Sequence, residues 1–558
     1  MASSRSRFMP AVPSMSRCFA AANSTVEFHG AAPAAAGLRT RVAFAALFPA
    51  LLAVIGLSAA AAPRVQGAPD DEVLTQDSLP QPGVAKGRTF DFVFDQSQAF
   101  PGTTRKISVY VPAAYTADKP ACVYLGLDGL GVEVSAVFDN LIEAHEMPVT
   151  IAIGIEPGTV PSSDAPANPR YDRSVEFDGL SDGLARFVLE EILPAVQRHR
   201  TPDGRVIRLS ADPNDRAVGG ASSGAIGAFT LAWQRPDAFR RVFSSIGSFI
   251  DMRGGDRYAT LVRKTEPKPL RIFMQDGSRD ELEALGEMGD WWLANQTMNS
   301  ALEFSGYQVR HAWGDGNHNP RHGAKMFPDA MRWLWAGWPQ PLVAGESQNV
   351  ILRQIVLPET AWERVTEDSA RSRTGRSPRG YHVQGPAGRD YQTDSATGRV
   401  WLTTAGGRHA LLDAGLKGPT GIALSPDGLW LSVAENKSHW GYNYRVGLDG
   451  TVRDKQRYYR FHVPDEGDDS GAGAWVMDRE GRLYAATRLG VQVFDRNGRV
   501  RAILPVPPAA ASDVNFGGEN LQYLYVTGGD GTVYRRKFKV PGAPPVFAPI
   551  VLPPWGPG

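Results

Sequence analysis

Two domains of different class are predicted for this chain. The first, over residues 89–340, is a doubly wound, mostly parallel α/β sheet; the second, over 345–545, is all-β and propeller-like. Three observations carry the prediction. From residue 89 to residue 337 strand and helix signals alternate, as they do where helices cross over between parallel strands. Around Trp338-Pro339-Gln340-Pro341 the pattern changes, and helical periodicity vanishes beyond it. In its place comes a weak repeat of short strands spaced by about forty residues, the range of propeller blades. A length of 558 residues fits more than one domain.

The N-terminal segment reads as an addition to these domains. Residues 1–37 are rich in Ala, Ser and Pro and read as disordered. Arg39 and Arg41 then precede an apolar run, 42–57, that ends in Ser58-Ala59-Ala60-Ala61-Ala62. A positive flank, a short apolar core and small residues are the layout of an export signal cleaved near Ala62. The run is short for a spanning helix, and retention as a membrane anchor is the alternative. An exported protein, periplasmic or extracellular, is expected. Cleavage would remove Cys18 and leave Cys122 as a lone buried thiol. Two cysteines without a CxxC or a His/Cys cluster argue against a disulfide framework and a structural zinc site. Lys and Arg (59) balance Asp and Glu (59) with no basic block, which argues against nucleic acid as a partner. Residues 63–88 read as a Pro/Gly/Asp-rich linker and 546–558 as a Pro-rich tail.

In the first domain, Phe90-Asp91-Phe92-Val93-Phe94 and residues 106–111 predict an antiparallel lead-in pair. Residues 121–125 and 149–153 are continuous apolar runs, as expected of strands buried on both faces. Leu184, Phe187, Val188, Ile192, Leu193 and Val196 repeat at helical spacing. Strands follow at 216–219, 242–246 and 270–274, then a helix over 281–304, a strand over 308–313 and a helix over 326–335. In the second domain 400–403, 429–432, 483–486 and 524–527 are equivalent strands, the first three preceded by turns with Gly398, Gly428 and Gly481. Four repeats predict a small propeller, with five blades if 351–383 supplies one; an irregular β-sandwich is the alternative.

The chemistry centres on Gly220-Ala221-Ser222-Ser223-Gly224, between a strand and a helix. G-x-S-x-G in that setting is a nucleophile elbow, and it assigns the first domain to the α/β-hydrolase class. Glycines bracket a turn too tight for side chains, and the helix N-terminus aims amide dipoles at developing negative charge. In that class a triad runs in the order Ser, acid, His. Asp276 and Asp280 both lie on the loop after strand 270–274, with Asp280 favoured; a turn or N-cap role is the other use for such a residue. His318, on the glycine-rich loop past strand 308–313, is the expected base, and His322 the substitute. The oxyanion needs two amides: Ser223, after the nucleophile, and one from Gly126-Leu127-Asp128-Gly129-Leu130.

Residues 89–337 resemble a bacterial esterase family of α/β hydrolases that contains enterochelin, feruloyl and acetyl-xylan esterases and mycolyl transferases. The resemblance rests on Leu127-Asp128-Gly129-Leu130, Arg173-Ser174-Val175-Glu176-Phe177, the elbow, Gly277-Ser278-Arg279-Asp280 and Gly316-Asn317-His318-Asn319. It implies Asp280 as the acid and the Leu130 amide as the second oxyanion donor. It also implies that Asp128, Arg173 and Glu176 lie near the pocket, with a structural ion pair as the other use of Arg173 and Glu176. Residues 345–545 resemble the SMP-30/gluconolactonase/LRE-like β-propeller at Gly418-Pro419-Thr420-Gly421, Asp469-Ser470-Gly471-Ala472-Gly473 and Thr487-Arg488-Leu489-Gly490. Those relatives hold a divalent metal with Glu, Asn and Asp side chains. Here Thr420 stands for Asn, Gly473 stands for Asp, and the first blade offers no matching Glu. A hard cation needs several oxygen ligands, so no metal and no cofactor are expected.

The reading is an exported serine carboxylic-ester hydrolase with a non-catalytic propeller partner. A metal-dependent propeller lactonase and a non-catalytic binding protein are the alternatives. The expected substrate is a small-molecule or polysaccharide-linked ester. Trp291, Trp292 and Trp440 are candidates to stack on it, a core role being the ordinary use of such residues.

Overall fold

The structure is a computed structural model that describes residues 73–558 apart from 163–167, 281–285, 366–375, 378–379, 466, 508–509, 545–551 and 553–558. The predicted export segment lies outside the described residues. Among those described, no helix is long and apolar enough to cross a membrane.

The first domain is built on an eight-stranded sheet: β1 (Arg88–Phe94), β2 (Arg105–Val111), β3 (Cys122–Leu127), β4 (Thr150–Ile155), β5 (Arg216–Ala221), β6 (Arg241–Ser245), β7 (Arg271–Gly277) and β8 (Gln308–Gly314). Their spatial order is β1-β2-β4-β3-β5-β6-β7-β8. β1 pairs antiparallel with β2 and β2 with β4, and every later neighbour is parallel. β3 and β4 are buried at every position because helices cover both faces. Alternate residues serve alternate faces: Val123, Leu125 and Val218 pack with Ile226, Phe229 and Met298 on one side. Cys122, Tyr124 and Ala217 pack with Phe138, Phe327 and Leu334 on the other. Cys122 is a buried free thiol, pushed up by burial.

The elbow helix, Ser223–Gln234, is almost wholly buried. The run over 183–198 is helical, with a π-helical stretch at Phe187–Ile192. Two predicted boundaries move. The helix expected over 281–304 starts at Trp291, where Asp290 caps it by accepting from Leu293 N at 2.9 Å; residues 281–285 are not described. The last helix starts at Arg321, five residues before the predicted point. Residues 76–79, in the stretch read as linker, lie against helix Val134–Glu143: Asn140 Nδ2 donates to the carbonyls of Asp77 (2.8 Å) and Leu79 (2.9 Å).

The second domain is a four-blade, propeller-like arrangement among the described residues. Its blades span 376–413, 419–460 and 475–504, and the last combines 511–537 with Glu363–Val365. Glu363–Val365 pairs antiparallel with Val533–Lys537, so an N-terminal strand completes the final blade. Tyr381 Oη of the first blade donates to Ser512 O of the last at 3.4 Å. Among the described residues there is no fifth blade. Asn349 accepts from Ile351 N and Leu352 N and starts a helix, Val350–Ile355, while Gly380–Gly385 belongs to the first blade. Apolar composition alone did not separate this capped helix from a strand.

The two domains share one apolar core that runs from the sheet to Tyr459, Trp475 and Phe494. At the junction Glu266 N donates to Ile503 O at 2.9 Å, and Glu266 pairs with Arg536 at 2.8 Å. Leu180 N donates to Asp465 Oδ2 at 3.2 Å.

Candidate active site

Strand β5 delivers the chain to Ser222 at φ 59° and ψ −122°, a backbone that L-residues seldom adopt. The flanking glycines are required by space. A Cβ on Gly220 would lie 2.5 Å from Gly224 C, and one on Gly224 would lie 2.7 Å from Asp128 Oδ2. The strained residue is held at both ends. Ser222 N donates to Ser245 O at 3.0 Å, and Ser222 O accepts from Ala225 N and Ile226 N.

Ser222 Oγ lies 2.9 Å from His318 Nε2. His318 Nδ1 lies 2.8 Å and 3.0 Å from the two oxygens of Asp280. Asp280 is wholly buried, and the His318 side chain keeps 18% of its exposure. The structure thus brings together the three residues that the sequence singled out, from three strand ends. His322 is elsewhere: it is buried and its Nδ1 takes Gln275 Nε2 at 3.0 Å. Asp276 does not touch His318 by any hydrogen bond among the described residues; burial and the adjacent Asp280 push it up to about 9.

Two residues join this chain that sequence reasoning did not assign to it. Ser248 Oγ lies 3.2 Å from Ser222 Oγ and accepts from Trp291 Nε1 at 3.1 Å. An indole N–H only donates, so the Ser248 hydrogen is left to donate to Ser222 Oγ while Ser222 donates to His318. Trp291 is 1% exposed and meets the His318 ring edge-on, centroids 5.3 Å apart. It supports the imidazole and offers no free face for stacking. Trp292 packs on Trp313, and Trp440 lies in the propeller beside His439. The available signal for Ser248 was its place just past a strand end beside the nucleophile strand, where α/β sheets put their sites.

Arg173 and Glu176 part company. The Arg173 guanidinium takes both oxygens of Asp128 (2.6 and 2.8 Å) and also donates to Ser223 Oγ (2.9 Å) and Ala221 O (3.3 Å). It ties the 126–130 loop to both sides of Ser222, and the Asp128 hydrogen bond holds Arg173 above its usual range. Glu176 is not at the pocket. Its oxygens take Arg105 at 2.6 and 2.8 Å, and the side chains of this ion pair are fully buried. Gly158 N also donates to it, so the carboxylate is fully engaged inside the domain. The amides of Leu130 and Ser223 have no protein acceptor among the described residues.

Where the relatives carry a metal-binding Asp, Gly473 leaves no space for one. Thr420 Oγ1 donates to Ala472 O at 2.6 Å, and Asn436 Nδ2 donates to the same carbonyl at 3.0 Å. A Cβ on Gly473 would lie 1.9 Å from Ser512 O, which leaves no room for a ligand side chain. Among the described residues no group of three or more His, Cys, Asp or Glu is placed to hold a metal.

Comparison with known proteins gives a match in each half of the chain. Residues 97–331 match the family described as Putative esterase, and residues 342–529 match the SMP-30/Gluconolactonase/LRE-like region. A gluconolactonase from Zymomonas mobilis is 24% identical over 264 residues, covering 44% of this chain and 71% of that protein. An iron(III) enterobactin esterase from Dickeya dadantii is 30% identical over 159 residues, covering 26% of this chain and 35% of that protein. Among solved structures, the enterobactin esterase of Shigella flexneri matches with 18% identity and a TM-score of 0.35, over 47% of this chain and 62% of that one. The chain is thus similar to the Putative esterase family over residues 97–331 and to the SMP-30/Gluconolactonase/LRE-like region over residues 342–529.

Proposed function

We propose that this protein is an exported serine carboxylic-ester hydrolase whose active centre is Ser222, His318 and Asp280. The observation that carries this reading is the unbroken hydrogen-bonded chain from Ser222 Oγ through His318 to buried Asp280. His318 takes the Ser222 proton as the hydroxyl attacks an ester carbonyl, and Asp280 orients and stabilises the imidazolium. The oxyanion is held by the amides of Ser223 and Leu130, each such donor being worth about 10²–10³ in rate. His318 then protonates the leaving alcohol, and water, activated by the same base, releases the acid and frees Ser222.

The propeller is a partner domain without its own chemistry in this reading, supported by the closed space at Gly473. The substrate class is a small-molecule or polysaccharide-linked ester. Residues 39–62 support export. The test is hydrolysis of a short-chain p-nitrophenyl ester by the full chain and by Ser222→Ala, each with and without chelator. The reading expects activity that resists chelation and falls about 10³-fold or more in the variant. Lactone hydrolysis that chelator abolishes and Ser222→Ala spares would move catalysis to the propeller.

A further inference from the structure

The hydrogen-bonded chain does not end at Asp280. Asp276 lies near the end of β7, and its carboxyl stands against that of Asp280, both residues wholly buried. Asp276 Oδ1 accepts from Gly277 N at 2.7 Å, whereas Oδ2 is buried with no partner among the described residues. Neighbouring Asn295 favours the charged form of Asp276, but its Nδ2 is shared with Gly247 O at 2.8 Å and Trp291 O at 3.0 Å, and burial with Asp280 outweighs it. The remaining surroundings bring no compensating cation. Asp276 faces Asp280 and the Gly277 amide from its own turn, and Asn295 from helix Trp291–Phe304. His318, from the loop after β8, is hydrogen-bonded to Asp280. Among the described residues no Lys or Arg forms an ion pair with either carboxyl. Two neighbouring carboxylates, both buried, do not both ionise. A buried, unpartnered oxygen facing a carboxylate is where a neutral acid carries its proton.

We propose that Asp276 is a neutral carboxylic acid whose Oδ2–H donates to the Asp280 carboxylate, so that the pair carries one negative charge. Its role in catalysis, though not its protonation state, rests on the serine-hydrolase reading. In that role Asp276 is a positioning residue. One charge suffices to orient and stabilise the imidazolium. A second would repel the first and hold a proton on His318, which must be free to take one from Ser222. The donated hydrogen bond also fixes the Asp280 carboxylate toward Nδ1 and weakens it as a base, which leaves the transferred proton on His318.

Infrared difference spectra of the full chain and Asp276→Asn test the protonation directly, with intact mass recorded because the new Asn-Gly step can deamidate. Wild type should show the carbonyl stretch of a buried carboxylic acid at neutral pH. The band should be absent from the variant and should vanish from wild type as pH rises through about 9. Ester turnover by wild type should decline along the same alkaline limb. Asp276→Asn keeps a donor that cannot ionise and should lack that limb. Asp276→Ala has no donor and should lose kcat about tenfold with little change in KM, and Asn should recover most of what Ala loses. No acid band at neutral pH, or an Asp276→Asn profile with the wild-type alkaline limb, overturns the proposal. Ester hydrolysis that survives Ser222→Ala would instead sink the hydrolase reading, and the infrared result would still decide the state of Asp276.

Discussion

At Ser222 the chain stores backbone strain of about 1–3 kcal/mol, retained because the hydrogen bonds of Ser222 N and O fix the turn from both sides. The same residue receives a hydrogen bond from Ser248, which is itself held by buried Trp291. A neutral hydrogen bond is worth about 1 kcal/mol net, so Ser248→Ala should lower kcat about fivefold to tenfold and leave KM nearly unchanged. Steady-state kinetics check it; a KM effect alone would make Ser248 a substrate contact. Asp276 has a second consequence, for stability. Its pKa is raised in the folded state, so folding retains a proton that the unfolded chain releases above about pH 4. The stabilising contribution is therefore full in acid and is lost progressively until pH passes about 9. Asp276→Asn removes this titration, and its Tm should fall less than that of wild type between about pH 5 and pH 8. The three residues of the hydrogen-bonded chain were legible in the sequence because each follows a strand in a glycine-rich turn. Ser248 and the pairing of Asp276 with Asp280 were not, because they depend on which strand ends become neighbours.

At the scale of elements, Arg173 is the tie between the 126–130 loop and the elbow. Its planar guanidinium serves Asp128 with two hydrogen bonds while reaching Ser223 and Ala221, a geometry that an ammonium group does not reproduce. Loss of the tie lets the Leu130 amide drift relative to Ser222, and small misplacements of that kind cost up to about 10²-fold in rate. Arg173→Lys and Arg173→Ala should both lower kcat by tenfold or more, on the order of one misplaced group. Full activity in Arg173→Lys would reduce the residue to a charge. The strand–turn–helix of the elbow, the lead-in pair and the parallel strands could be read from periodicity. The start of the Trp291 helix and the false fifth blade could not, since caps at Asp290 and Asn349 decide them and each looks like an ordinary loop residue. Glu176 was drawn to the pocket by its motif. Its partner Arg105, 71 residues earlier, is invisible to local pattern.

At the scale of the molecule, the change from a period of 3.6 to short glycine-punctuated strands marks the passage from one class of fold to the other, and that much was legible. The shared core and the Glu266–Arg536 pair were not, because they join residues 270 positions apart. The docked propeller brings Asp465 to Leu180, two residues past buried Asp178 and close behind Arg173 in the chain. In the proposed function, ester chemistry passes through Ser222 rather than through the propeller. This is tested most directly by treating the full chain with a fluorophosphonate and mapping the adduct by peptide mass spectrometry while following ester and lactone hydrolysis. One adduct is expected, on Ser222, formed in step with loss of ester hydrolysis and blocked in His318→Ala. Hydrolysis that continues undiminished with Ser222 fully labelled, or an unlabelled Ser222 in an active enzyme, would contradict it.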